Sequence, residues 1–517
     1  MVVPMSEISF DWLERRDELT PDKTAIIDVH SNRSFTYREF NRRANRLANA
    51  WQDVWGIKKG DRIGILAKNG PEYLEALFAV AKIGAILVPI NIRLAGPELS
   101  YIINDSEPKG IILDTEYVDA IWEIAHDIEI RNYLTLGSSN SEKMTPYEDF
   151  LKQGDDRGPQ CQEPVTLADP QIILYTSGTT GYPKGAVQTH GNILFNALNA
   201  MLALDIVSSD IFLCGLPMFH TGGLHVQTTP TLHAGGTIVI MRSFDAGQAL
   251  NLIQEKKVNT LFFVYTMWQF MREHEDFEKT DFSGLRMAWS GGGPCPLPVL
   301  QAFQNKGILL SQGYGLTEAG PDATVLSAQD SMRKVGSIGK VTFHNAAKIV
   351  NESAEEVSPG EVGEIILRGP TVTTGYWNKP EATAEALRDG WFHTGDLAFK
   401  DKDGYYFIVD RKKDMIISGG ENIYPAEVEK AIYLHPKVAK VAVIGVSHER
   451  WGEVGHAIIC PKNGEHVSKE EIIDFLKDKL AHYKIPKSVS FEEDLPQSPS
   501  GKILKRLLKE KFTRKSM

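Results

Sequence analysis

Cysteine is scarce in this 517-residue sequence: Cys161, Cys214, Cys295 and Cys460 lie far apart and form no C-x-x-C pair. That argues against a zinc ribbon and a disulfide framework, and a reducing, cytoplasmic compartment is the simple expectation. Long apolar runs are missing too. The nearest, "ALFAVAKIGAILVPI", is interrupted by Lys82 and split by Gly84, and it reads as a helix end followed by a buried strand. The opening "MVVPMSEISFDWLERR" has neither a basic n-region nor a long apolar core, so no secretion signal is expected. Positive charge is in deficit: 56 Lys and Arg against 67 Asp and Glu leave a net charge of -11, which argues against a nucleic-acid partner. H-E-x-x-H is absent, and His220 and His225 stand five apart, so no zinc site is expected. Internal repeats and low-complexity segments are absent as well.

What remains is ordinary globular composition, 42% hydrophobic and 24% charged, in a chain long enough for two to four domains of ~150 residues. Phe40, Ala44, Leu47, Ala48 and Trp51 recur at helical spacing over residues 36–54. The turn Lys59-Gly60-Asp61 leads to the strand "RIGILA", a helix from Pro71 to Lys82, and the strand "ILVPI". Strand–helix–strand alternation predicts a parallel sheet with helices on its faces. The rhythm returns at "QIILYTSG", "TIVIM", "TLFFV" and "RMAWSGG", each strand running into Gly, Ser or Thr. After about residue 340 the segment "AAKIVNESAEEVSPGEVGEIILRGP" alternates and turns often, as β-rich structure does. Beyond "DRKKDMIISGGENIYPAEVE" comes a small α+β unit: a helix from Pro425, strands "VAKVAVIGV" and "GHAIICP", and a helix opened by the Ser468/Glu471 capping pattern. The expected fold class is α/β. A large N-terminal domain (1–410) carries parallel and mixed sheets flanked by helices, with a β-rich subdomain within about 340–410. A small α+β domain (411–517) follows.

The stretch "YTSGTTGYPKG" (175–185) is composed like a phosphate loop, with backbone N–H groups, hydroxyls and Lys184 to meet phosphate oxygens. It is not a Walker loop: counted from Gly178, the position for lysine holds Pro183, and Gly185 follows Lys184. A P-loop kinase is disfavoured for that reason. The same string resembles the phosphate-loop signature of the adenylate-forming superfamily, which includes acyl- and aryl-CoA synthetases, peptide-synthetase adenylation domains and luciferases. Five more signatures follow in the family's order: "PMFHTGG" (217–223), "QGYGLTE" (312–318), "HTGD" (393–396), "DRKKDMIISGGENIYPAEVE" (410–429) and "PQSPSGKILKR" (496–506).

The resemblance implies a two-step reaction: a carboxylate attacks the ATP α-phosphate, and a thiol, usually that of coenzyme A, displaces AMP. Two anions meet in the first step, so cations and preorganised donors are needed. By resemblance, Thr176, Ser177, Gly178, Thr179, Thr180 and Lys184 would hold the departing pyrophosphate. Gly291, Gly292 and Gly293 would form the adenine wall, with Gln312, Gly313, Tyr314 and Gly315 beside it and Tyr314 stacked on the base. Thr317 would bond the α-phosphate, and Glu318 would bind Mg²⁺ through oxygen. Asp396 and Arg411 would hold the ribose, near Ile408. Lys502 would bridge the attacking carboxylate and the α-phosphate, Lys413 would be the hinge that makes the small domain mobile, and Ser418, Gly419, Gly420 and Glu421 would line the pantetheine tunnel.

His220 carries two readings, a packed and hydrogen-bonded core residue or a group flanking the acyl carboxylate; the resemblance favours the second. The acyl pocket is expected to draw on His220, Thr221, Gly222, Leu224, Tyr265 and Trp268. The reading favours a medium- to long-chain fatty acid, with an aryl acid such as benzoate or a cinnamate as the alternative. An inactive binding relative is weighed against the presence of Lys502, Glu318 and Asp396. The chain ends 15 residues after Lys502, so a free-standing CoA ligase is expected, with ATP, Mg²⁺ and coenzyme A. No transmembrane segment is expected, and a homodimer is left open. The basic helix "KILKRLLKEKF" is read as the end of the small domain before it is read as a lipid contact.

Overall fold

The computed structural model describes residues 7–137, 143–176, 183–293, 295–418, 421–449, 451–477, 479–480, 482–497 and 503–513. Two compact units emerge from the packing. The larger comprises residues 1–335, 339–346 and 367–392; the smaller comprises 336–338, 347–366 and 393–517.

The larger unit holds two twisted sheets. In the first, the strands Arg62–Leu66, Ile86–Pro89, Gly110–Asp114, Asn132–Leu136 and Pro170–Thr176 run parallel, and Lys184–Thr189 closes one edge antiparallel to Pro170–Thr176. In the second, Thr24–Asp28, Thr237–Ile240, Ile211–Cys214, Thr260–Val264, Met287–Gly291 and Leu310–Leu316 are parallel neighbours. Gly320–Leu326 then turns back antiparallel. The expected α/β architecture, a large N-terminal part of mixed sheets and helices with a smaller C-terminal part, is the one observed.

The local chemistry explains the elements. Thr36 caps the helix Tyr37–Trp55, and Glu39 returns the bond to the cap backbone. Its predicted apolar face, Phe40 to Trp51, is fully buried. The helix Pro71–Ile83 starts on proline and stops at Gly84, whose φ of +69° is left-handed, a backbone state glycine reaches without Cβ strain. The strands carry near-continuous Ile, Val and Leu because helices cover both sheet faces.

In the smaller unit the long hairpin Val438–His448 and Gly452–Pro461 packs against the helix Pro425–Tyr433. Ser468 caps Lys469–Lys477 by accepting from the Glu471 N–H at 3.1 Å. The strand Tyr406–Arg411 pairs with Trp391–Lys400, and Asp410 accepts from the Ala426 N–H at 2.7 Å. Residues 393–410 therefore group with the C-terminal segment in the packing, whereas the sequence reading draws its line at 410/411. The charge of the terminal helix Lys505–Thr513 is met by carboxylates, most of them on other segments. Lys505 pairs with Glu429, Arg506 with Glu510, Lys509 with Asp414 and Lys511 with Glu492, while Leu508 is buried. No described helix is long and apolar enough to cross a membrane.

Candidate active site

The strand Pro170–Thr176 delivers Thr176 to the carboxyl end of the first sheet, where ligands of open α/β sheets bind. Thr176 Oγ1 donates to Glu318 Oε1 at 3.0 Å. Glu318 follows the strand Leu310–Leu316 of the second sheet, so this bond joins two motifs 142 residues apart. Tyr376 OH donates to the same oxygen at 3.2 Å. Lys184 Nζ lies 5.2 Å from the Tyr376 ring centroid, within cation–π range. The backbone fixes the group further: the Thr373 N–H donates to the Glu318 carbonyl at 2.7 Å, and Gln188 Nε2 donates to the Thr317 carbonyl. Burial and the Glu318 carboxylate push the Tyr376 phenol well above its usual range, so Tyr376 stays a proton donor.

Tyr376 was not foreseen. The only sequence signal was its place in "GYWNKP", a turn-rich segment, and its contact with Glu318 is purely tertiary.

Glu318 meets the requirement for a hard-cation ligand. It is a carboxylate, half-buried, and Oε2 has no partner among the described residues. Described residues hold no group of three or more His, Cys, Asp or Glu placed to hold a metal ion; a single carboxylate is the pattern expected where substrate phosphates supply most of the magnesium ligands.

Glycine shapes the opposite side. A Cβ at Gly315 would lie 2.2 Å from the Pro321 carbonyl oxygen, and one at Gly313 would lie 2.2 Å from the Trp289 ring. Gly292 has φ +74° at the end of Met287–Gly291. Phe262 packs between two glycines: a Cβ would come within 2.9 Å of its ring from Gly291 and 3.7 Å from Gly222. The Phe262 and Trp289 ring centroids are 5.2 Å apart, and Tyr265 lies 3.7 Å from a Cβ at Gly293. The Phe262 ring, tilted 49° from that of Trp289, thus reaches from the Gly222 segment to the glycine wall.

His220 caps the short helix Thr221–Leu224. Its Nε2 is buried and has no partner among the described residues, so the hydrogen-bonded core reading does not describe it. Burial, reinforced by the nearby Arg93 charge, lowers its pKa to about 4, and the ring is neutral near pH 7. Thr221 Oγ1, Trp289 Nε1 and Gln312 Nε2 are likewise buried and unpartnered among these residues; Gln312 Oε1 accepts from the Cys295 N–H. Leu224 is fully buried. Trp268 departs from its expected place at the acyl pocket. Its ring lies 5.4 Å from Phe263 and 4.9 Å from Phe303, and its indole N–H donates to the Phe263 carbonyl at 3.0 Å. It belongs to the aromatic core.

In the smaller unit, Asp396 and Arg411 are opposite each other across two paired strands, with Arg411 Nε 3.1 Å from Asp396 Oδ1. Ile408, on the same strand as Arg411, pairs with Ala398. Lys413 stands in the turn closed by the Asp414 and Met415 N–H groups on the Arg411 carbonyl. Burial, then the Arg411 charge, lowers its pKa. Ser418 pairs with Glu421 and with Gly452. Ser177, Gly178, Thr179, Thr180, Gly419, Gly420 and Lys502 lie outside the described residues.

Comparison with known proteins gives the class. The "AMP-binding enzyme" family model matches residues 13–377, and the "AMP-binding enzyme C-terminal domain" model matches 427–502. The chain therefore belongs to the AMP-binding, adenylate-forming enzymes and is an acid–thiol ligase of the acyl/aryl-CoA type. It is 42% identical to a feruloyl-CoA synthase of Amycolatopsis over 97% of this chain and 98% of the relative. It is 37% identical to a long-chain-fatty-acid–CoA ligase of Mycobacterium tuberculosis over 97% and 98%. Among solved structures, the o-succinylbenzoate CoA synthetase of Bacillus subtilis with its acyl-adenylate superposes with a TM-score of 0.86 at 33% identity, covering 96% of this chain and 98% of that one.

Proposed function

We propose that the chain is an ATP-dependent aryl-CoA ligase of the cinnamate type. The observation that carries this reading is the Phe262 ring, packed at a tilt of 49° on Trp289 and bordered by glycines at 222 and 291. A planar acid gains an offset or edge-to-face contact with such a ring, whereas a flexible alkyl chain gains only area. The similarity to a feruloyl-CoA synthase supports the same choice. A fatty acid, favoured from sequence, is the second reading, supported by the mycobacterial relative.

In this proposal the acid's carboxylate attacks the α-phosphorus, the bond to the bridging oxygen breaks, and pyrophosphate leaves. The CoA thiolate then attacks the acyl carbonyl and AMP leaves. Thr176, Ser177, Gly178, Thr179, Thr180 and Lys184 grip the leaving pyrophosphate, Tyr314 stacks on adenine, Thr317 bonds the α-phosphate, and Asp396 with Arg411 holds the ribose. Lys502 bridges the two reacting anions, as a flexible ammonium can. Neutral His220 borders the acyl carboxylate without adding a charge. Glu318 would hold Mg²⁺, which offsets phosphate charge when bound; Thr176 and Tyr376 orient that carboxylate. A hinge at Lys413 and a tunnel at Ser418–Glu421 belong to the second step.

The test is AMP release dependent on both ATP and CoA, across cinnamic, benzoic, octanoic and palmitic acids. The expected result is a kcat/KM for cinnamic acid at least about tenfold above any alkanoate. An alkanoate preference of that size would replace the aryl reading with the fatty-acid one.

A further inference from the structure

A second polar cluster lies in the larger unit and serves none of the roles above. Asp322, on the strand Gly320–Leu326, is 1% exposed; Asn196, on the helix His190–Leu204, is 2% exposed; His225, ending the helix Thr221–Leu224, is 1% exposed. Asn196 Nδ2 ties the other two together, donating to the His225 carbonyl at 2.7 Å and to Asp322 Oδ2 at 3.3 Å. His225 Nδ1 lies 3.2 Å from Thr229 Oγ1. Three buried atoms then remain without a partner among the described residues: Asp322 Oδ1, Asn196 Oδ1 and His225 Nε2. Each such atom destabilises the fold if nothing meets it, and native cores keep such atoms few. Three on adjoining side chains need a reason.

The charge state narrows what meets them. Asp322 has one neutral amide as its side-chain partner and no cation. Burial drives its carboxyl well above the ordinary range, and burial likewise lowers His225 to about 3. The cluster is therefore a neutral carboxyl, a neutral imidazole and an amide. Such a set exchanges hydrogen bonds with a neutral hydroxyl. A second carboxylate on the substrate would find no counter-charge there.

Position ties the cluster to the acid. His225 follows His220 by five residues, and Asp322 follows Glu318 by four. The helix Thr221–Leu224, which carries three of the proposed acyl-pocket residues, packs against the strand that carries Asp322. Two segments that carry residues of the proposed site, one beside the acyl carboxylate and one beside the phosphates, thus converge again at Asp322.

Resting on the aryl-acid reading, we propose that Asp322, with Asn196 and His225, is a specificity site that selects acids bearing a hydroxyl on the ring, away from the reacting carboxylate. Asp322 neither touches the reacting atoms nor positions ATP; it distinguishes one acid from another.

The experiment measures kcat/KM for pyrophosphate release with 4-hydroxycinnamic and cinnamic acid, in the full-length protein and in Asp322→Val and Asp322→Asn. The unsubstituted protein is expected to prefer the hydroxylated acid by at least about tenfold. Asp322→Val should bring the ratio within about threefold, through a higher KM for the hydroxylated acid at little changed kcat, as loss of uniform binding requires. Asp322→Asn keeps a donor and an acceptor and should keep the preference within about threefold. Equal use of both acids by the unsubstituted protein overturns the proposal, even if Asp322→Val fails to fold. So does an unchanged ratio in Asp322→Val, or a loss in Asp322→Asn as complete as in Asp322→Val. These outcomes leave the aryl reading intact, because cinnamic acid is still activated. Activation of alkanoates with neither cinnamic acid used would instead sink the aryl reading, and this inference with it.

Discussion

The Thr176–Glu318–Tyr376 group and the Thr221–His220–Trp289 side of the site are built on opposite terms. In the first, Glu318 Oε1 takes two side-chain hydrogen bonds, and Thr373 and Gln188 hold the backbone on either side of the carboxylate. In the second, buried polar atoms stand against aromatic rings without partners among the described residues. The difference teaches where variation is tolerated. On the proposed function, the Glu318 carboxylate meets phosphates and a cation and gains from being held in place before they arrive. On the same reading, a surface that selects one acid reserves its polar groups for that acid, which accounts for buried atoms without partners among the described residues.

Three experiments press on this contrast. Lys502→Ala should have the largest effect, slowing adenylation by about 100- to 1000-fold. Thioester formation from supplied acyl-adenylate should survive. Pyrophosphate exchange and single-turnover thioesterification separate the steps, and equal losses in both would remove the lysine's proposed role.

A matched pair sharpens the contrast directly. Thr176→Val removes a donor to a carboxylate, and about a tenfold loss in adenylation kcat/KM is expected. Thr221→Val removes a buried hydroxyl that has no partner among the described residues. The melting temperature of Thr221→Val should hold or rise, by no more than about 1 kcal/mol of stability. A destabilised Thr221→Val would show that the acyl side is as tightly bonded as the other.

The last effect concerns acid stability and leaves turnover near pH 7 untouched. Burial lowers His190 to about 4 and His225 to about 3. Unfolded histidines take up protons near pH 6.5, so below that the unfolded chain binds more protons and stability falls with falling pH. The loss runs from about pH 6.5 down to the folded-state values, and reaches about 2 kcal/mol for each such histidine at pH 5. Urea midpoints at pH 5.0 and 7.5 measure it. His190→Gln should reduce the difference; an unchanged difference would take His190 out of the account.

The parallel strands, the capped helices and the order of motifs were legible because they rest on local chemistry: apolar runs, Thr36 with Glu39, glycine at strand ends. Thr176 and Glu318 were named from motifs, and the fold brings them within one hydrogen bond. Tyr376 was illegible because nothing local distinguishes it; its role exists only once 58 residues of chain have folded back onto Glu318. Asp322 was passed over because a polar residue in a strand ordinarily faces solvent, and here a helix covers it. Trp268 was misplaced because Tyr265, three residues earlier on the same helix, meets the glycine wall; an indole N–H satisfied by the Phe263 carbonyl keeps Trp268 in the core. The choice between alkyl and aryl acids was read from pocket composition, which cannot register the orientation of the Phe262 ring.

The segment that carries Tyr376 has one more consequence. Tyr376 bridges Ala186, the Val187 N–H donates to the Gly375 carbonyl, and the Trp377 N–H donates to the Gly185 carbonyl. These bonds occupy the outer rim of Lys184–Thr189, the terminal strand of its sheet. An uncovered rim of that length is a template for pairing with another polypeptide. The stretch that steadies Glu318 therefore also guards the molecule against edge-to-edge aggregation, and weakening it would be felt in solubility as well as in turnover.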